Sequence, residues 1–520
     1  TEQIKLFTYY NKSCNCLVYT DEEPPRGPNE DAVKIALQFA KLVGAKIVDE
    51  MHFMRKVVVD GSNTSGFQRT GLIATGGKIE YEGKILELDQ LCLEEDSCRH
   101  GEEGHEYLLD RLGVPLLEIT TKPQLNDSKD VQKAAKTIGR LLRACNVRRG
   151  LGTIRQDVNV SIDNGQRVEL KGFQDLTSMP KVVENEVNRQ RNLNKLKKAT
   201  AGQTIVVNEC FNSKKEFALA LKVENWNGIL GNKKSAENHI RMGRELSDYA
   251  KRAGMKGIMH SDELPDYGIN IDETNSIKNK LKCKKDDAFI LIFGIEKKVR
   301  NAMELVIERI NTQGVPKEVR KVTPENLTRY LRPMPGASRM YPETDIAPLK
   351  VNNIEILKPK TLDQREKDLP LNEEESKQLV NKDLDDQFNS LNQRYELPKL
   401  ISRILLHILP QLKEEGENIT SNDLEKVLDL YVKGKIVKEG IPDALLQSSK
   451  NEEISVNSGN IKNEVKEFVD NLVKEKEEFI RERGMGAVGA LMGPVMSEFK
   501  GKMDGRDINK LLMEKIKEII

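Results

Sequence analysis

Hydrophobic residues follow two different patterns along this chain, and the change falls near residue 366. Before it, apolar stripes at helical spacing alternate with short apolar runs bounded by turn residues, which is typical of a mixed α/β region. Pro28 and Gly44 bound the clearest stripe and predict a helix over 29–43. Beyond residue 366 nearly all apolar residues have helical spacing, so the chain is expected to end in all-α structure. The predicted strands of the first region are 57–60, 71–75, 84–88 and 204–208.

A second change of rhythm separates residues 246–335 from their surroundings. A helix at 245–253, a strand at 288–293 and a helix at 297–311 predict a small inserted α+β domain. A Pro-rich segment, 332–348, then leads back toward the first region.

The all-α part divides into two segments. Residues 366–460 are rich in Glu, Lys and Leu and form one predicted helical domain. Residues 461–520 form a second, whose helices are expected to be broken by the Gly-rich stretch 484–494. The last apolar stripe, which includes Ile508 and Ile516, predicts an amphipathic helix. The expected fold class is therefore multidomain α+β, because 520 residues are too many for one hydrophobic core.

The composition is that of a highly charged globular protein. Charged residues make up 32% of the chain, and 83 basic residues nearly balance 82 acidic ones. Because the net charge is only +1, nucleic-acid binding would have to depend on local basic patches. No apolar run approaches the roughly 20 residues of a membrane helix, and no signal peptide is recognised. The seven dispersed cysteines indicate reduced thiols, so we expect a cytoplasmic protein that does not enter a membrane.

The segment 155–172 alternates polar and apolar residues on both sides of Asn164 and Gly165, which predicts a β-hairpin. A two-residue loop would pair polar with apolar side chains, whereas a three-residue loop, 163–165 with a left-handed Gly165, restores the match. The resulting pairs are Ser161 with Arg167, Asn159 with Glu169 and Asp157 with Lys171. The polar face fits either a solvated outer surface or the floor of a site for phosphate and metal, and spacing alone leaves both open.

Two acidic features could bind a cation. Glu94, Glu95 and Asp96 follow one another after a short apolar stretch, and they fit either a surface loop or a metal site rich in oxygen ligands. Glu118 stands alone in the apolar run 114–120, so its carboxylate is expected to be at least half buried and to need a partner. A structural salt bridge and a metal site both meet that need.

A loop rich in glycine and hydroxyl groups, 60–69, lies between two strand-like runs. Its backbone N–H groups and side chains could surround a phosphate. The loop lacks both the Gly-Lys-Ser/Thr ending of a Walker A motif and the spacing of a dinucleotide fingerprint, so by itself it indicates a nucleotide site only weakly.

Several segments, taken in order, resemble blocks of the GatB/GatE family, the kinase and transferase subunits of tRNA-dependent amidotransferases. They are 60–70, 93–96, 113–120, 155–162 and 339–346, together with the Gly-rich tail. The insertion resembles a domain that the archaeal GatE branch shares with bacterial-type aspartyl-tRNA synthetases and that GatB lacks. The resemblance therefore indicates the GatE branch.

The resemblance implies a particular domain order. A cradle-type kinase and transferase catalytic domain of mixed α/β structure is followed by an aspartyl-tRNA-synthetase-like α+β insertion, a return to the catalytic domain, an all-α helical domain and a YqeY-like tail. The implied bounds are 1–245, 246–335, 336–365, 366–460 and 461–520.

The resemblance also implies a reaction. Members phosphorylate the glutamyl side chain of Glu-tRNA(Gln) with ATP and Mg²⁺, and ammonia then displaces phosphate, so the chain is expected to be a carbon–nitrogen ligase with glutamine as amide donor. Matching positions imply metal ligands at Glu94 and Glu118, with catalytic roles for both and for Asp157 and Lys171. Residues expected around the nucleotide and the glutamyl group are Ser62, Asn63, Thr64, Ser65, Gly66, Asn159, Ser161 and Glu169.

The implied partners are a tRNA and a second subunit. A GatD-like glutaminase of the asparaginase type would supply ammonia, in a heterotetramer of two GatD and two GatE chains, and no glutaminase nucleophile with its base is recognised in this sequence. The expected contacts to the tRNA body are Lys500, Lys502, Arg506 and Lys510. Family members open with a Gly-Leu-Glu-Ile-His segment that carries a metal-binding His and Glu. This sequence starts at Thr1, after that segment, so either it is incomplete, as the missing initiator Met indicates, or the site lacks part of its metal shell.

Two other functions fit parts of the sequence. A non-catalytic tRNA-binding protein would explain the insertion and tail but not the ordered carboxylates or the polar hairpin face. A GatB-type subunit acting on both Glu-tRNA and Asp-tRNA would explain the catalytic blocks but not the insertion.

Overall fold

The computed structural model describes residues 6–11, 16–102, 104–150, 152–173, 175–212, 216–231, 241–334, 336, 340–455, 461–499, 503 and 505–520. The chain forms two compact units, Thr1–Pro359 and Lys360–Ile520, and each is described by itself. The boundary between the units falls inside the predicted return segment, 336–365. Sheets and helices alternate in the larger unit and the smaller unit is helical, so the protein has the predicted multidomain α+β fold.

Strands and helices alternate irregularly in the larger unit. Its strands are β1 (Thr8–Tyr10), β2 (Lys46–Ile47), β3 (Glu50–Met51), β4 (Phe53–Val57), β5 (Phe67–Thr75), β6 (Lys78–Tyr81), β7 (Lys84–Glu95), β8 (Arg99–His100), β9 (Glu106–Leu108), β10 (Pro115–Thr121), β11 (Val158–Val160), β12 (Val168–Lys171), β13 (Ala201–Val206), β14 (Phe217–Val223), β15 (Met259–His260), β16 (Ala288–Gly294), β17 (Glu318–Val322), β18 (Thr328–Pro333), β19 (Met340–Pro342) and β20 (Leu349–Lys350). Its helices are α1 (Glu30–Val43), α2 (Ser128–Arg143), α3 (Met179–Lys195), α4 (Met242–Lys251), α5 (Ile271–Lys280) and α6 (Glu296–Asn311).

Helix α1 confirms the prediction from the stripe at 29–43. The Asn29 side chain accepts a hydrogen bond from the backbone N–H of Ala32 at 2.9 Å, which satisfies a donor that the first turn leaves unpaired. Gly44 ends the helix with a left-handed backbone, φ 66°. The apolar stripe, including Val33 and Leu37, is buried in the core beneath the largest sheet.

The largest sheet has seven strands in the order β10-β7-β5-β4-β19, with β2 added on β5 and β6 on β7. On one face Leu91, Leu93 and Leu117 belong to the core that also contains the apolar stripe of α1. The predicted strand 57–60 is largely wrong, because β4 ends at Val57 and the N–H of Val58 closes a loop by donating to Gly66 O at 2.8 Å.

The segment 155–172 forms the ribbon β11–β12, and the predicted register is confirmed because Asn159 pairs with Glu169. The predicted loop is wrong in its details. The strands stop at Val160 and Val168, and the left-handed residue is Asn164, with φ 60°, rather than Gly165. The ribbon extends into a four-stranded sheet, β11-β12-β17-β18, in which β17 pairs in parallel with β12.

A separate four-stranded sheet, β13-β14-β16-β15, forms the centre of an α+β region with α4, α5 and α6. The predicted helices and central strand are present within a few residues of their expected bounds. The sheet takes strands from both sides of residue 246, the predicted start of the insertion, because the apolar strand β14 pairs along its whole length with β16.

A buried charge network joins α3, α4 and β17. Arg320, whose side chain is 1% exposed, donates to Glu245 at 2.7 Å and to Glu318 at 2.5 Å. Arg189 donates to Glu186 at 3.0 Å and to Glu245 at 3.2 Å. Burial alone would raise the pKa of Glu245, but the arginines outweigh it and hold that pKa at about 2.

The smaller unit contains two hydrophobic cores, one formed by residues up to 445 and one by residues from 465 onward. The Gly-rich stretch 484–494 breaks the helical pattern as predicted, but only at its start, where one helix ends at Arg483 and Gly484 has a left-handed backbone, φ 55°. After a short 3₁₀ turn, Ala487, Leu491 and Val495 are buried on one side of a helix that continues through Pro494. The C-terminal amphipathic helix is confirmed, with its apolar stripe buried.

The helices of the smaller unit are α7 (Leu362–Asp368), α8 (Glu373–Asn381), α9 (Asp385–Tyr395), α10 (Pro398–Arg403), α11 (Leu409–Glu414), α12 (Ser421–Val432), α13 (Ile441–Ser449), α14 (Ile461–Glu475), α15 (Glu477–Arg483), α16 (Ala487–Phe499) and α17 (Gly505–Lys517). A π-helical turn, Ile404–Ile408, connects α10 to α11. In the described part of the whole chain, no helix has the length and apolar character needed to cross a lipid bilayer.

Candidate active site

A cleft of about 3560 Å³ opens over the polar face of the seven-stranded sheet. The polar face of the β11–β12 ribbon lines it too, as does the face of α2 that carries Val131 and Ile138. The cleft is several times larger than the roughly 300–1,000 Å³ of a typical small-molecule pocket. Its size therefore suits a substrate whose reacting group is attached to a much larger molecule.

Glu94 and Glu118 come together on the floor of this cleft. In the antiparallel pairing of β7 with β10, Glu94 lies opposite Leu116 and Glu118 opposite Cys92, so both carboxylates project from the same face on neighbouring strands. Diagonal neighbours of this kind are roughly 7–8 Å apart at their Cα atoms, within reach of glutamate side chains. Lys56 from β4 also belongs to the floor, where its Nζ lies 2.9 Å from Glu94 Oε1.

Glu118 faces the cleft and is accessible to solvent from it. Surrounding protein still removes enough water to raise the pKa of its carboxyl, and the negative charge of Glu94 raises it further. Lys56 opposes this effect, while Asp157 and Lys171 have smaller effects of opposite sign on the same pKa. The site therefore holds two carboxylates close together with too little positive charge to neutralise both.

The polar face of the ribbon meets this floor. Lys171 forms an ion pair with Asp157 and a second with Glu169 at 2.8 Å, as the predicted register requires. Burial lowers the pKa of Lys171, but these two carboxylates outweigh burial and leave the pKa raised. Lys171 is therefore a protonated cation at neutral pH, suited to neutralising negative charge rather than to accepting a proton. Asn159 and Ser161 line the same cleft.

The three consecutive acids at the end of β7 have three different environments. Glu94 points into the cleft, and Glu95 pairs with Arg69 at 3.1 Å. Asp96 is 2% exposed and accepts from Arg111 at 2.9 Å and from Arg155 at 2.5 Å. The interpretation of this run as a surface loop is therefore wrong, and Asp96 fixes the approach to the ribbon.

The glycine- and hydroxyl-rich loop is only partly directed toward the cleft. Ser62 lines it, whereas Asn63, Thr64, Ser65 and Gly66 do not. The Thr64 hydroxyl donates to Tyr19 O at 2.6 Å and that of Ser65 to Phe67 O at 3.1 Å, so both are engaged in holding the loop itself. These four residues were predicted to contact the nucleotide, but the structure does not bring them to the carboxylate floor.

The floor fits a hard divalent cation in its chemistry. Mg²⁺ is usually held by one or two carboxylates together with phosphate oxygens and water, and Glu94 and Glu118 supply the carboxylates. Among the described residues, no group of three or more His, Cys, Asp and Glu side chains could hold a metal ion by itself. A cation at this floor would therefore need further ligands besides Glu94 and Glu118.

Sequence reasoning missed Lys56 and Arg155. Lys56 lies outside every strand that the sequence predicts, and only the pairing of β4 with β5 brings it to the floor. The sequence analysis names Arg155 only as the start of the ribbon segment. Its place at the beginning of an alternating polar and apolar pattern was the one sequence signal for a role of this residue. Of the predicted tRNA contacts, Arg506 and Lys510 lie on the exposed side of α17, and Lys500 and Lys502 lie outside the described residues.

The fold and the cleft define a multidomain α+β protein with a large, highly charged cleft. The sequence model of the GatB/GatE catalytic domain matches residues 11–356, and that of the GatB domain matches residues 386–516. The chain therefore belongs to the GatB/GatE family.

Curated relatives agree with this assignment. The chain is 39% identical to the glutamyl-tRNA(Gln) amidotransferase E subunit of Archaeoglobus fulgidus, over 100% of this chain and 88% of that protein. It is 40% identical to the protein of the same name from Methanocaldococcus jannaschii, over 99% of this chain and 89% of that protein. With the Thermococcus gammatolerans protein the identity is 38%, over 98% of this chain and 88% of the relative.

Proposed function

We propose that this chain is the E subunit of a glutamyl-tRNA(Gln) amidotransferase, a ligase that uses glutamine as amide donor. In this role it activates the glutamyl side chain of Glu-tRNA(Gln) with ATP and then amidates it with ammonia. The observation that carries the proposal is the convergence of Glu94 and Glu118 with Lys56 and Lys171 in one large cleft. The names and extent of the relatives support the same conclusion.

The chemistry explains why such a floor is needed. A carboxylate is a poor acyl donor because its oxygen is a bad leaving group, whereas transfer of a phosphoryl group to that oxygen creates a good one. Catalysis of phosphoryl transfer consists mainly of positioning and charge neutralisation. When bound, Mg²⁺ would neutralise phosphate charge and orient the transferred group.

The residues of the chain then have separate roles. Glu94 and Glu118 would hold the cation, and its binding would relieve their mutual repulsion. Lys171, fixed between Asp157 and Glu169, would present a permanent positive charge to the phosphoryl oxygens. Asn159 and Ser161 would offer hydrogen bonds to the glutamyl group, and Ser62, which lines the same cleft, would contact the nucleotide.

The assembly follows from the same family membership. A subunit of this kind works with other amidotransferase subunits and with tRNA, and the partner that we propose is a GatD-like glutaminase in a two-plus-two heterotetramer. The larger unit then corresponds to a cradle-type catalytic domain interrupted by an aspartyl-tRNA-synthetase-like domain. Arg506 and Lys510 on α17 remain proposed contacts to the tRNA body.

A direct test is ATP turnover that depends on Glu-tRNA(Gln), measured with the glutaminase partner present. Glu118→Gln should lower the rate by about 100-fold or more, because one cation ligand is lost. Glu80→Gln is the matched control, since Glu80 is an exposed carboxylate on β6 outside the cleft. Equal far-UV circular dichroism of the two variants would show that both are folded. A normal rate for Glu118→Gln would refute the assignment of the floor.

A further inference from the structure

A group of three cations lies at the far end of the ribbon from the carboxylate floor. Arg167, Lys317 and Arg332 come from three adjacent strands or their ends, and all three line the cleft. In the parallel pairing of β12 with β17, Glu169 is opposite Val319, and Arg167 and Lys317 each lie two residues before that pair. Arg332 pairs with Val319 from the other side. The register therefore places the three side chains on one face.

Among the residues that the structure describes, these cations have no carboxylate partners. In the described part of the chain none of the three forms an ion pair, and the Arg167 guanidinium contacts only the Met334 sulfur, at 3.1 Å. Glu169, an acid on the same face, is already paired with Lys171 at 2.8 Å. Asp163 also lines the cleft, and Glu184 accepts from the Ser128 hydroxyl at 3.0 Å. The group therefore keeps a net positive charge, unlike Lys56 and Lys171 on the cleft floor, which are both paired with carboxylates.

We propose that Arg167, Lys317 and Arg332 form a phosphate-binding subsite for the unpaired 3′ end of the RNA substrate. This inference rests on the proposed function and adds a second RNA contact to the one expected on α17. Three cations on adjacent strands span about 10 Å, because strands lie about 4.8 Å apart, which suits consecutive phosphates of one strand. Such phosphate contacts position a strand without reading its sequence.

The position of the subsite distinguishes an RNA strand from ATP. Arg167 lies four residues from Lys171 along β12, which is about 13 Å at the rise of a β-strand. A triphosphate whose last phosphate sits at Glu94 and Glu118 does not extend that far. A single-stranded RNA end whose esterified glutamyl group reaches the floor does pass the ribbon tip.

The test measures binding of tRNA(Gln) to the 520-residue chain by fluorescence anisotropy at several salt concentrations. Variants are Arg167→Gln, Lys317→Gln, Arg332→Gln and the triple substitution. The matched control is Lys195→Gln, an exposed cation at the end of α3 outside the cleft. Each substitution should weaken binding several-fold and reduce the slope of log Kd against log salt by about 0.7, the value for one single-stranded phosphate contact.

The same measurements use a transcript lacking its unpaired 3′ nucleotides. Wild type and triple variant should then bind equally. Equal effects of the substitutions on both transcripts, or none on either, would overturn the proposal. A raised KM for ATP with unchanged tRNA binding would also overturn it and would assign the cations to the nucleotide. Absence of Glu-tRNA-dependent ATP turnover in wild type would instead refute the proposed function, while the binding results still decide the subsite.

Discussion

The larger unit contains two clusters of acidic and basic side chains with opposite properties. In the buried network, Glu186, Glu245 and Glu318 surround Arg189 and Arg320, and every one of these carboxylates contacts an arginine. On the open floor of the cleft, Lys56 pairs with Glu94, and the attraction of Lys56 and Lys171 for Glu118 does not offset its desolvation and the negative charge of Glu94. The same residue types thus form a buried network in which the arginines neutralise the carboxylates, and a cleft floor on which the carboxylates are only partly neutralised.

The difference separates a structural role from a functional one. The pKa of Glu245 is depressed, so the protein stabilises its charged form, whereas the pKa of Glu118 is raised, so the protein alone does not. A carboxylate that its own protein leaves unstabilised can gain free energy from a bound cation. A carboxylate that is already held by arginines has nothing further to gain.

The strongest contrast should come from Arg320→Met. Removing this buried cation leaves the carboxylates of Glu245 and Glu318 partly unpaired, which should lower the free energy of unfolding by about 3–5 kcal/mol. Urea unfolding, followed by circular dichroism, measures the change. A loss below about 1 kcal/mol would show that the network is not the stabilising element.

The buried network should also make the free energy of unfolding depend on pH in the acidic range. Because the folded pKa of Glu245 is about 2 and its ordinary value is 4.5, its contribution is present above pH 4.5 and is lost as the pH falls toward 2. The loss should be roughly 3 kcal/mol over that window. Urea unfolding across the window should therefore show a smaller pH dependence in Glu245→Gln. Parallel curves for variant and wild type would contradict the depressed pKa.

A substitution on the open floor of the cleft should change ATP turnover rather than the free energy of unfolding. Lys171→Gln removes the fixed positive charge from the cleft and should reduce Glu-tRNA-dependent ATP turnover by about 100-fold, or roughly 2.7 kcal/mol in the barrier. The free energy of unfolding should change by less than about 1 kcal/mol, because this partly exposed ion pair is screened by solvent. If Lys171→Gln kept full activity but lost much of its free energy of unfolding, the cleft floor would have a structural role instead of a functional one.

The smallest effect should come from Thr328→Val at the edge of the network. The Thr328 hydroxyl donates to Glu186 at 2.7 Å and accepts from Arg320 at 2.9 Å. Its loss should cost about 1–2 kcal/mol in urea unfolding and leave turnover unchanged. A matched Ser161→Ala change on the ribbon should leave stability within about 0.5 kcal/mol.

Local signals in the sequence predicted the elements that depend on local physics. Pro28 and Gly44 predicted the ends of α1 because the signals that start and stop a helix lie in a few neighbouring residues. Side-chain parity gave the register of the ribbon, since a slip of one residue would move Val160 and Val168 out of the core. The identity of the left-handed loop residue did not follow, because the long loop between β11 and β12 has more than one way to close.

Contacts between distant segments were not accessible in the same way. Lys56 reaches Glu94 only because β5 lies between β4 and β7, and nothing near Lys56 in the sequence reveals that order. The buried network joins residues from 186 to 320, whose charges would each be expected on the surface. Exposure of Glu118 was likewise set by the cleft, which no local pattern describes.

The parallel pairing of β12 with β17 has a consequence for how the protein is made. These strands are separated in the chain by the whole α+β region built around β14 and β16. The edge strand β19 joins β4 later still. During synthesis β12 therefore cannot pair with β17 until the ribosome has passed Val322. The wall of the cleft is completed only after the intervening region has had time to fold.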